Sequence, residues 1–362
     1  MSPLADRLGP RSDTSLCRTL VRVARSDASP PEVVIAGADV PSASDVTVQR
    51  ALLAWFQANR RDLPWRRSRD PYEILVSEIM LQQTQVHRVL PYYRAFLESF
   101  PSVEALAAAA TADVIKAWAG LGYNRRAVNL QRTASYVVDD CAGQFPETVE
   151  TLRRLPGVGQ YTAGAIACFA FEQDVAFIDT NMRRVLHRLM IGVDVPQPSA
   201  TDREVLAVAK RLVPAGQAWE WNQGLIEFGA LQCTARKPAC VVCPLQAECK
   251  AFPSIQSAIA AVLPGTRRPR EQTYDGSNRF YRGRVVAALR DLSNEDAARG
   301  IDLRSLGPLV RPGFSDEDIP WLSEVVNGLS RDGLARVAED RPPYDAELGG
   351  DDAPSDIKIR LP

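Results

Sequence analysis

The sequence predicts a mainly α-helical protein with more than one domain, and three observations support this prediction. Between residues 46 and 250, apolar side chains recur every three or four positions, and no segment alternates apolar and polar residues as a strand does. Four of the seven cysteines stand close together in residues 233–249, which indicates a metal-binding segment. The chain has 362 residues, more than a single domain usually holds.

The predicted helices follow one another from residue 46. The first carries an apolar stripe that includes Leu52, Trp55 and Phe56. The second begins at Asp70, which precedes a proline as at many helix starts, and stays apolar at helical spacing as far as Pro91. The segments predicted to be helical after it are SVEALAAAATADVIKAWAGLGY (two short helices), RRAVNLQRTASYVVDDC, ETVETLRR, YTAGAIACFAF, DTNMRRVLHRLM, TDREVLAVAKRLV and AWEWNQGLIEFGALQC.

Both ends of the chain differ from this helical part. Residues 1–45 show little periodicity, so they predict a flexible N-terminal extension. Residues 253–274 are punctuated by Pro and Gly and predict a linker. In residues 275–362, NRFYRGRVVAALRDL and IPWLSEVVNGLSRDGLARVAED predict short helices, and DIKIRLP predicts a strand. Helices followed by a strand ribbon indicate a small α/β winged-helix-like module at the C-terminus.

The cysteine cluster has the spacing C-x6-C-x2-C-x5-C, formed by Cys233, Cys240, Cys243 and Cys249. The N-terminus has no charged-then-apolar leader of the secretory type, so metal ligands are expected here rather than disulfides. A structural zinc site usually presents two short cysteine pairs, whereas this segment has one such pair flanked by single cysteines at unequal distances. The spacing therefore favours an iron–sulfur cluster, with zinc as the alternative.

The formal net charge is −1, which neither requires nor excludes a nucleic-acid partner. A DNA-binding role depends on local basic segments such as RRDLPWRRSR, NRRAVNLQR and MRRVLHR, each of which alone is also typical of a solvated surface. The sequence has no apolar run of about 18 residues, so neither a membrane span nor a membrane partner is expected.

LPGVGQYTAGA, residues 155–165, predicts a tight turn between two helices. Gly157 and Gly159 would allow the backbone to take positive φ and to approach another molecule closely. Their N–H groups and the following helix N-terminus would form an anion site that suits a DNA phosphate. An ordinary helix–helix turn is the alternative. The small residues 163–165 allow tight helix packing and favour phosphate binding.

The sequence pattern around two carboxyl residues, Glu78 and Asp179, makes them candidates for catalysis. Glu78 lies among apolar residues at helical spacings, so desolvation should raise its pKa and suit it to act as a general acid. Asp179 stands at the start of a helix, whose dipole should keep it ionised. The alternatives are a glutamate paired with an arginine at the edge of the stripe and a simple helix N-cap. A protonated Glu facing an ionised Asp is the division of labour found where glycosidic bonds are cleaved.

These motifs together resemble a known family. LPGVGQYTAGA, then FIDTNMRRVLHR, then the four-cysteine spacing resemble the helix-hairpin-helix DNA glycosylases of the endonuclease III superfamily. LPWR, SEIMLQQTQV and GLGY narrow the resemblance to the MutY-like adenine glycosylases, over about residues 46–250. The resemblance implies a helix-hairpin-helix glycosylase fold, with a six-helix barrel in residues 66–174 and a cluster domain made of residues 46–65 and 175–252. It also implies a [4Fe-4S] cluster held by the four cysteines.

The resemblance further implies an enzyme, a DNA N-glycosylase that hydrolyses the N-glycosidic bond of adenine mispaired with G or 8-oxoguanine in duplex DNA. The base would be flipped out of the helix first. Glu78 would protonate adenine N7, Asp179 would stabilise the sugar cation or trap it covalently, and Asn181 would lie near the catalytic water. The implied substrate and DNA contacts are Trp65, Arg66 and Glu227 in the adenine pocket, Gln83 and Tyr123 on the wedge, Thr84 beside Gln83, Gly157, Val158 and Gly159 on a phosphate, and Tyr161.

Tyr161 sharpens this prediction. The endonuclease III branch has a lysine at this place, which attacks the sugar and later cleaves the strand, and tyrosine cannot form that Schiff base. A monofunctional glycosylase is therefore expected. Some mismatch thymine glycosylases also carry a tyrosine here, but they usually lack the glutamate that stands in this chain as Glu78. An endonuclease III-like glycosylase/lyase on damaged bases and a non-catalytic iron–sulfur DNA-binding protein are the alternatives.

Two features depart from the family pattern. Many relatives have a second tyrosine after the position of Tyr123, where this chain has Asn124. MutY-like proteins normally end in a Nudix-like domain that inspects 8-oxoguanine, and residues 275–362 show no such pattern. In residues 278–284, NRFYRGR alternates Arg with aromatic residues, which suits either DNA contact or ordinary packing. We expect a cytoplasmic, nucleoid-associated monomer.

Overall fold

The structure is a computed structural model that describes residues 41–262, 274–338 and 357–362. These residues are mainly helical, as the sequence predicts, and they contain one two-stranded sheet. The elements are α1 (Ala43–Asn59), α2 (Pro71–Leu81), α3 (Val86–Ser99), α4 (Val103–Ala108), α5 (Thr111–Ala117), α6 (Arg125–Cys141), α7 (Val149–Leu152), α8 (Gln160–Phe169), α9 (Thr180–Met190), α10 (Asp202–Leu212), α11 (Ala218–Leu231), α12 (Ser254–Val262), α13 (Asn278–Arg290), α14 (Asn294–Arg299), α15 (Leu303–Val310), α16 (Ile319–Arg331), β1 (Arg336–Ala338) and β2 (Lys358–Arg360).

The first helix starts earlier than predicted and joins the far end of the helical part. α1 begins at Ala43 because Ser42 and Asp45 form a reciprocal capping box, so the predicted extension overruns the helix start. Residues 1–40 of that extension lie outside the described residues. α1 packs on α11, with the rings of Trp55 and Phe228 4.8 Å apart. This packing supports the predicted split of the cluster domain into two chain segments, which stays a prediction.

The helix predicted to run from Asp70 to Pro91 is two helices. α2 ends at Leu81 and α3 begins at Val86, and Pro91 lies inside α3. Gln83, in the loop between them, has a positive φ of 58°. The loop is held by a residue far along the chain, because Arg126 donates hydrogen bonds to the carbonyl oxygens at the end of α2, which a helix end leaves without partners.

The predicted helical hairpin is formed by α7, a turn and α8. α8 is buried along most of its length, and Gly164 allows Phe177 to pack directly on its backbone. A Cβ atom at Gly164 would lie 2.6 Å from the Cβ of Phe177, which is a clash. One hydrophobic core runs from α1 to α11, and its largest fully buried side chains include Trp118, Trp221, Phe96 and Phe177. The hairpin is therefore anchored in the main core.

The predicted linker 253–274 is wrong over its first part, because residues Ser254–Val262 form α12. Ile255 and Ile259, four positions apart, face the same side and are buried with Ala251. Their packing partners include Val193 and Val195, which lie about 60 positions earlier in the chain. Residues 263–273 lie outside the described residues.

The C-terminal module contains α13 to α16 and the antiparallel pair β1–β2, in which Val337 faces Ile359. The predicted helix IPWLSEVVNGLSRDGLARVAED stops at Arg331, and Arg336–Ala338 of the same segment pair with β2 instead. The module has its own core, and Ile115 of α5 and Val128 of α6 belong to that core. The module is therefore packed on α5 and α6. Among the helices described, none combines the length and apolar character needed to cross a bilayer.

Candidate active site and cluster-binding segment

A cleft of about 2310 Å³, open to solvent, gathers most of the side chains that the sequence singles out. Its walls come from the turn before α2, the end of α2, the loop 82–85, the starts of α3, α8 and α9, and one side of α11. The predicted site residues that line it are Trp65, Arg66, Glu78, Gln83, Thr84, Tyr161, Asp179 and Asn181. Tyr123, Gly157, Val158, Gly159 and Glu227 lie outside this lining, and the four cysteines line a pocket of their own.

Glu78 lies in the middle of α2 and is only 6 % exposed. Burial raises the pKa of its carboxyl to about 7, a hydrogen bond from Tyr161 opposes this rise, and the charge of Asp179 adds to it. The sequence-based prediction of a raised pKa agrees with this environment. A carboxyl group with a pKa near 7 holds a proton for a substantial part of the time at neutral pH, so it can act as an acid.

Asp179 is the N-cap of α9. Its carboxylate accepts hydrogen bonds from the Met182 N–H at 2.6 Å and from Asn181 Nδ2 at 3.3 Å. Burial nevertheless raises the pKa of Asp179 above its ordinary value, while these donors and Arg184 oppose the rise. The helix end, which the sequence indicates, favours the charged form of Asp179, whereas burial, which comes from tertiary packing, opposes it. Asp179 still has more donors to support a negative charge than Glu78 has.

Asn181 links Asp179 to the cysteine segment. Its Oδ1 accepts a hydrogen bond from Arg184 Nη2 at 2.9 Å, and Arg184 Nε donates to the carbonyl oxygen of Cys233 at 2.9 Å. The backbone of α11 approaches closely here, since a Cβ atom at Gly229 would lie 2.8 Å from the Cβ of Asn181. The first turn of α9 is therefore fixed by contacts from two other elements.

Tyr161 stands at the start of α8, and its hydroxyl group is hydrogen-bonded to Glu78. Burial and the neighbouring carboxyls, Glu78 and Asp179, raise its pKa well above the ordinary value. Tyr161 therefore stays neutral at physiological pH and donates to Glu78. Its ring packs edge-to-face on Phe177, with the centroids 5.4 Å apart.

At the cleft wall that Trp65 and Arg66 form, the structure differs from the prediction at one residue. Trp65 and Arg66 line the cleft, but Glu227 is fully buried behind them. Its carboxylate forms ion pairs with Arg61 at 2.6 Å and with Arg66 at 3.0 Å. Although burial alone would raise the pKa of Glu227, hydrogen bonds from both arginines lower it to about 2. Glu227 therefore orients Arg66 and does not line the cleft itself.

Two residues of this wall were missed by the sequence analysis. Arg61 and Gln223 line the cleft, and Gln223 Oε1 accepts a hydrogen bond from Arg66 Nε at 2.8 Å. The basic segment RRDLPWRRSR contains Arg61, but its spacing alone gives no reason to choose this arginine over its neighbours. Gln223 has no local signal, because its partner is 157 positions away.

The two predicted wedge residues both have left-handed backbones. Gln83 has a φ of 58° and Tyr123 a φ of 49°, and Tyr123 is 48 % exposed. Arg126 holds both loops, since Nη2 donates to Thr84 Oγ1 at 3.2 Å and to the Gly122 carbonyl at 3.2 Å. Burial lowers the pKa of Arg126 to about 10, so it remains charged at neutral pH. Arg126 is another functional candidate that the sequence analysis missed.

The hairpin turn agrees only partly with the prediction. Gly157 has a φ of 79°, as expected, but Gly159 has an extended backbone with φ −87° and ψ −179°. A Cβ atom at Gly159 would meet nothing within 4 Å, so another molecule can approach this backbone. The Val158 N–H donates to the carbonyl oxygen of Leu155 at 3.1 Å, so this amide is already engaged within the turn. Gly159, just before α8, is thus better suited to an anion than Val158 is.

Cys233, Cys240, Cys243 and Cys249 line one pocket beside α9. Arg188, buried in α9, donates to the carbonyl oxygens of Thr234 at 2.8 Å and Ala235 at 3.1 Å, and its Nη1 lies 3.8 Å from Cys233 Sγ. Burial raises the pKa of the Cys243 thiol to about 11, so bound iron rather than the protein alone would keep this ligand ionised. Four soft sulfur donors around one space fit an iron–sulfur cluster.

Comparisons with known proteins show which family this chain belongs to. Residues 76–211 match the family model of HhH-GPD superfamily base excision DNA repair proteins, and residues 233–249 match the iron–sulfur binding domain of endonuclease III. An adenine DNA glycosylase of Mycolicibacterium smegmatis is 39 % identical over 301 residues, which cover 80 % of this chain and 92 % of that protein. The human adenine DNA glycosylase is 41 % identical over 238 residues, and the match covers 61 % of this chain but only 43 % of that protein.

Two solved structures have a similar fold. A thermostable thymine-DNA glycosylase superposes with a TM-score of 0.54 at 32 % identity, covering 58 % of this chain and 96 % of that one. An endonuclease III trapped as a covalent intermediate with DNA superposes with a TM-score of 0.50 at 24 % identity, covering 57 % and 95 % of the two chains. The likeness to endonuclease III, at this lower identity, concerns the fold alone.

The fold, the cleft and the cysteine segment together define the class of protein. The chain belongs to the helix-hairpin-helix superfamily of base excision DNA repair proteins, and it carries the segment that binds a [4Fe-4S] cluster. Its identity to the mycolicibacterial relative over nearly the whole of that protein assigns it, within the superfamily, to the adenine DNA glycosylase family.

Proposed function

We propose that this protein hydrolyses the N-glycosidic bond of adenine mispaired with G or 8-oxoguanine in duplex DNA. The observation that carries the proposal is the pairing of Glu78 and Asp179 in one cleft. Glu78 is buried with a pKa near 7, and Asp179 acts on it as a neighbouring negative charge. A proton donor beside a carboxylate is the pair of groups that departure of a base from a sugar requires.

In the proposed reaction, Glu78 gives its proton to N7 of adenine as the C1′–N9 bond breaks and the base keeps the bonding electrons. Asp179, supported by Met182 and Asn181, stabilises the positive charge that develops on the sugar. A water molecule then adds to C1′ and loses its proton to a carboxylate. Because Tyr161 is a neutral phenol rather than an amine, no Schiff base forms and the enzyme is monofunctional.

The rest of the site would hold DNA and extrude the base. Gln83 and Tyr123 occupy the tips of two loops that Arg126 joins, which suits them to enter the duplex as a wedge. The turn before α8 suits a backbone phosphate, chiefly at Gly159. Trp65, Arg66 and Gln223 would line the pocket for the extruded adenine, with Glu227 fixing Arg66 from behind. The four cysteines would hold the [4Fe-4S] cluster, which stabilises residues 233–249 when bound. We further propose a nucleoid-associated monomer.

The test is single-turnover base release from duplexes that place A opposite G, 8-oxoguanine, C or T, with T opposite G as a further substrate. Release of adenine opposite G and 8-oxoguanine, with strand breaks only after alkali, is expected. Release of thymine in place of adenine would contradict the proposed substrate and favour the activity named for the thymine-DNA glycosylase structure. Strand cleavage without alkali would contradict the monofunctional mechanism.

A further inference from the structure

The C-terminal module reaches the candidate site through one arginine. Arg279, in the first turn of α13, donates from Nη1 to the hydroxyl oxygen of Tyr123 at 2.9 Å. Its guanidinium carbon lies 5.2 Å from the centroid of the same ring, within the range of a cation–π contact. This is a direct contact between the module and a residue of the proposed wedge, although 156 positions separate the two residues in sequence.

The contact belongs to a longer series. Arg126 lies 5.5 Å from the Tyr123 ring and 5.4 Å from the ring of Trp118, which is fully buried. At the other end, Arg279 lies 5.0 Å from the ring of Tyr274. Guanidinium groups and aromatic rings therefore alternate from the main core, through Tyr123, to the surface of the module.

Arg279 is itself held in place. Ser277 caps α13 by accepting a hydrogen bond from the Phe280 N–H at 3.2 Å, and the apolar side of α13 is buried in the core of the module. That core includes Ile115 and Val128 from α5 and α6, so α13 has a defined position next to the loop that carries Tyr123. The backbone of Arg279 is therefore held in a defined position relative to Tyr123.

Tyr123 needs such support. It is exposed, it follows Gly122, whose φ is 74°, and it has a left-handed backbone itself. An exposed aromatic side chain on such a loop can adopt several orientations, and choosing one on binding costs conformational entropy. Contacts that fix the bound orientation beforehand reduce this cost.

We propose that Arg279 is a positioning residue for Tyr123, through which the C-terminal module sets the wedge for base extrusion from the duplex. The inference rests on the proposed function. Arg279 lies in the segment NRFYRGR, for which the sequence allows either DNA contact or packing. The geometry points to a third role, contact with another residue that enters the DNA.

The test compares Arg279→Ala, Tyr123→Ala and the double variant in the full chain loaded with its cluster. Two quantities are measured: the single-turnover rate of adenine release with saturating enzyme, and the rise in fluorescence of 2-aminopurine placed as the target base, which reports extrusion. Arg279→Ala should lower the rate about threefold to tenfold and lower the fluorescence rise with it. In the Tyr123→Ala background the same change should have no further effect on either quantity. Arg279→Lys, which keeps the charge and a donor but not the planar group, should recover part of the loss.

Arg290→Ala is the matched control, because it removes the same charge from α13 about 16 Å along the helix axis, and it should behave as wild type. Equal losses from Arg279→Ala with and without Tyr123 would overturn the inference, and so would a uniform loss of DNA affinity with a weaker salt dependence, which indicates a phosphate contact. If wild type releases no adenine, the proposed function fails. If wild type is active and the Arg279 and Arg290 variants behave alike, only this inference fails.

Discussion

Glu78, which lines the cleft, and Glu227, which lies behind its wall, are two buried glutamates whose carboxyl groups are in opposite electrostatic states. At Glu78, burial raises the pKa to about 7, with one opposing hydrogen bond from Tyr161. At Glu227, hydrogen bonds and charge from Arg61 and Arg66 outweigh burial and lower the pKa to about 2. Both side chains are almost completely inaccessible, at 6 % and 0 % exposure.

The difference shows that burial fixes the protonation of a carboxyl group only where charged donors are absent. α2 surrounds Glu78 with apolar side chains, so the protonated, neutral form of its carboxyl group is favoured. α11 places Glu227 against two guanidinium groups, so the charged form is kept. One glutamate can therefore give up a proton, whereas the other can only position an arginine.

The strongest test of the comparison is loss of the proton itself. Glu78→Gln keeps the size of the side chain but has no acidic proton, so adenine release should fall about 10²- to 10⁴-fold, the usual contribution of a general acid. Glu227→Gln should lose much less activity, because Glu227 acts only through Arg66. Single-turnover rates of both variants decide the matter, and near-wild-type activity in Glu78→Gln would remove Glu78 from the chemistry.

The second test measures stability, for which Glu227→Gln is expected to have a larger effect than Glu78→Gln. Glu227→Gln removes the charge that compensates Arg66, whose side chain is only 7 % exposed. Breaking a buried pair on one side costs about 3–5 kcal/mol, so the free energy of unfolding should fall by this amount in urea titrations. Glu150→Gln, in an exposed pair with Arg154, is the control and should cost less than about 1 kcal/mol. Equal effects would show that the Glu227 ion pairs are not buried in solution.

The sequence predicted the Glu78 half of this comparison and not the Glu227 half. Glu78 is surrounded in its own helix by Ile74, Leu75 and Ile79, so local spacing indicates burial and a raised pKa, with a glutamate paired to an arginine at the edge of the stripe as the alternative. The partners of Glu227 are 166 and 161 positions away, and no local pattern indicates them. The family resemblance assigned Glu227 to the pocket, but it gave no information on whether the carboxylate faces the cleft or the arginines.

The same distinction applies to the fold. Most helices, including α6 and α9, have bounds close to those predicted, because their caps and apolar stripes are local. The break after Leu81 was missed because its carbonyl groups are held by Arg126, far away in sequence. α12 was taken for a linker because its packing partners Val193 and Val195 are distant. Local signals predict where a helix can form, and tertiary contacts decide where it ends.

The third test uses pH to separate the two glutamates. The folded-state pKa of Glu78, about 7, is above the ordinary 4.5, so its protonated form stabilises the fold fully below pH 4.5 and this contribution is lost as pH rises to 7. Relative to wild type, Glu78→Gln should therefore gain about 3 kcal/mol between about pH 4.5 and pH 8. Glu227 has the opposite sign: its contribution is present above pH 4.5 and lost as pH falls towards 2. Urea titrations at several pH values measure both, and a gain for Glu78→Gln on acidification would contradict the assignment.

The smallest expected effect concerns the single donor on Glu78. If the protonated acid is the active form, adenine release should be constant below about pH 7 and fall tenfold per pH unit above it. Tyr161→Phe removes the hydrogen bond that favours the carboxylate, so the pKa of Glu78 rises further and the break in the pH–rate profile should move upward by up to about one unit. Tyr93→Phe is the matched control, because the Tyr93 hydroxyl is buried without a hydrogen-bond partner among the described residues, and its profile should keep the wild-type break. A downward shift in Tyr161→Phe would mean that the phenol favours the protonated acid instead. The hydrogen bond to Glu78 would then act in the opposite direction to the hydrogen bonds that lower the pKa of Glu227.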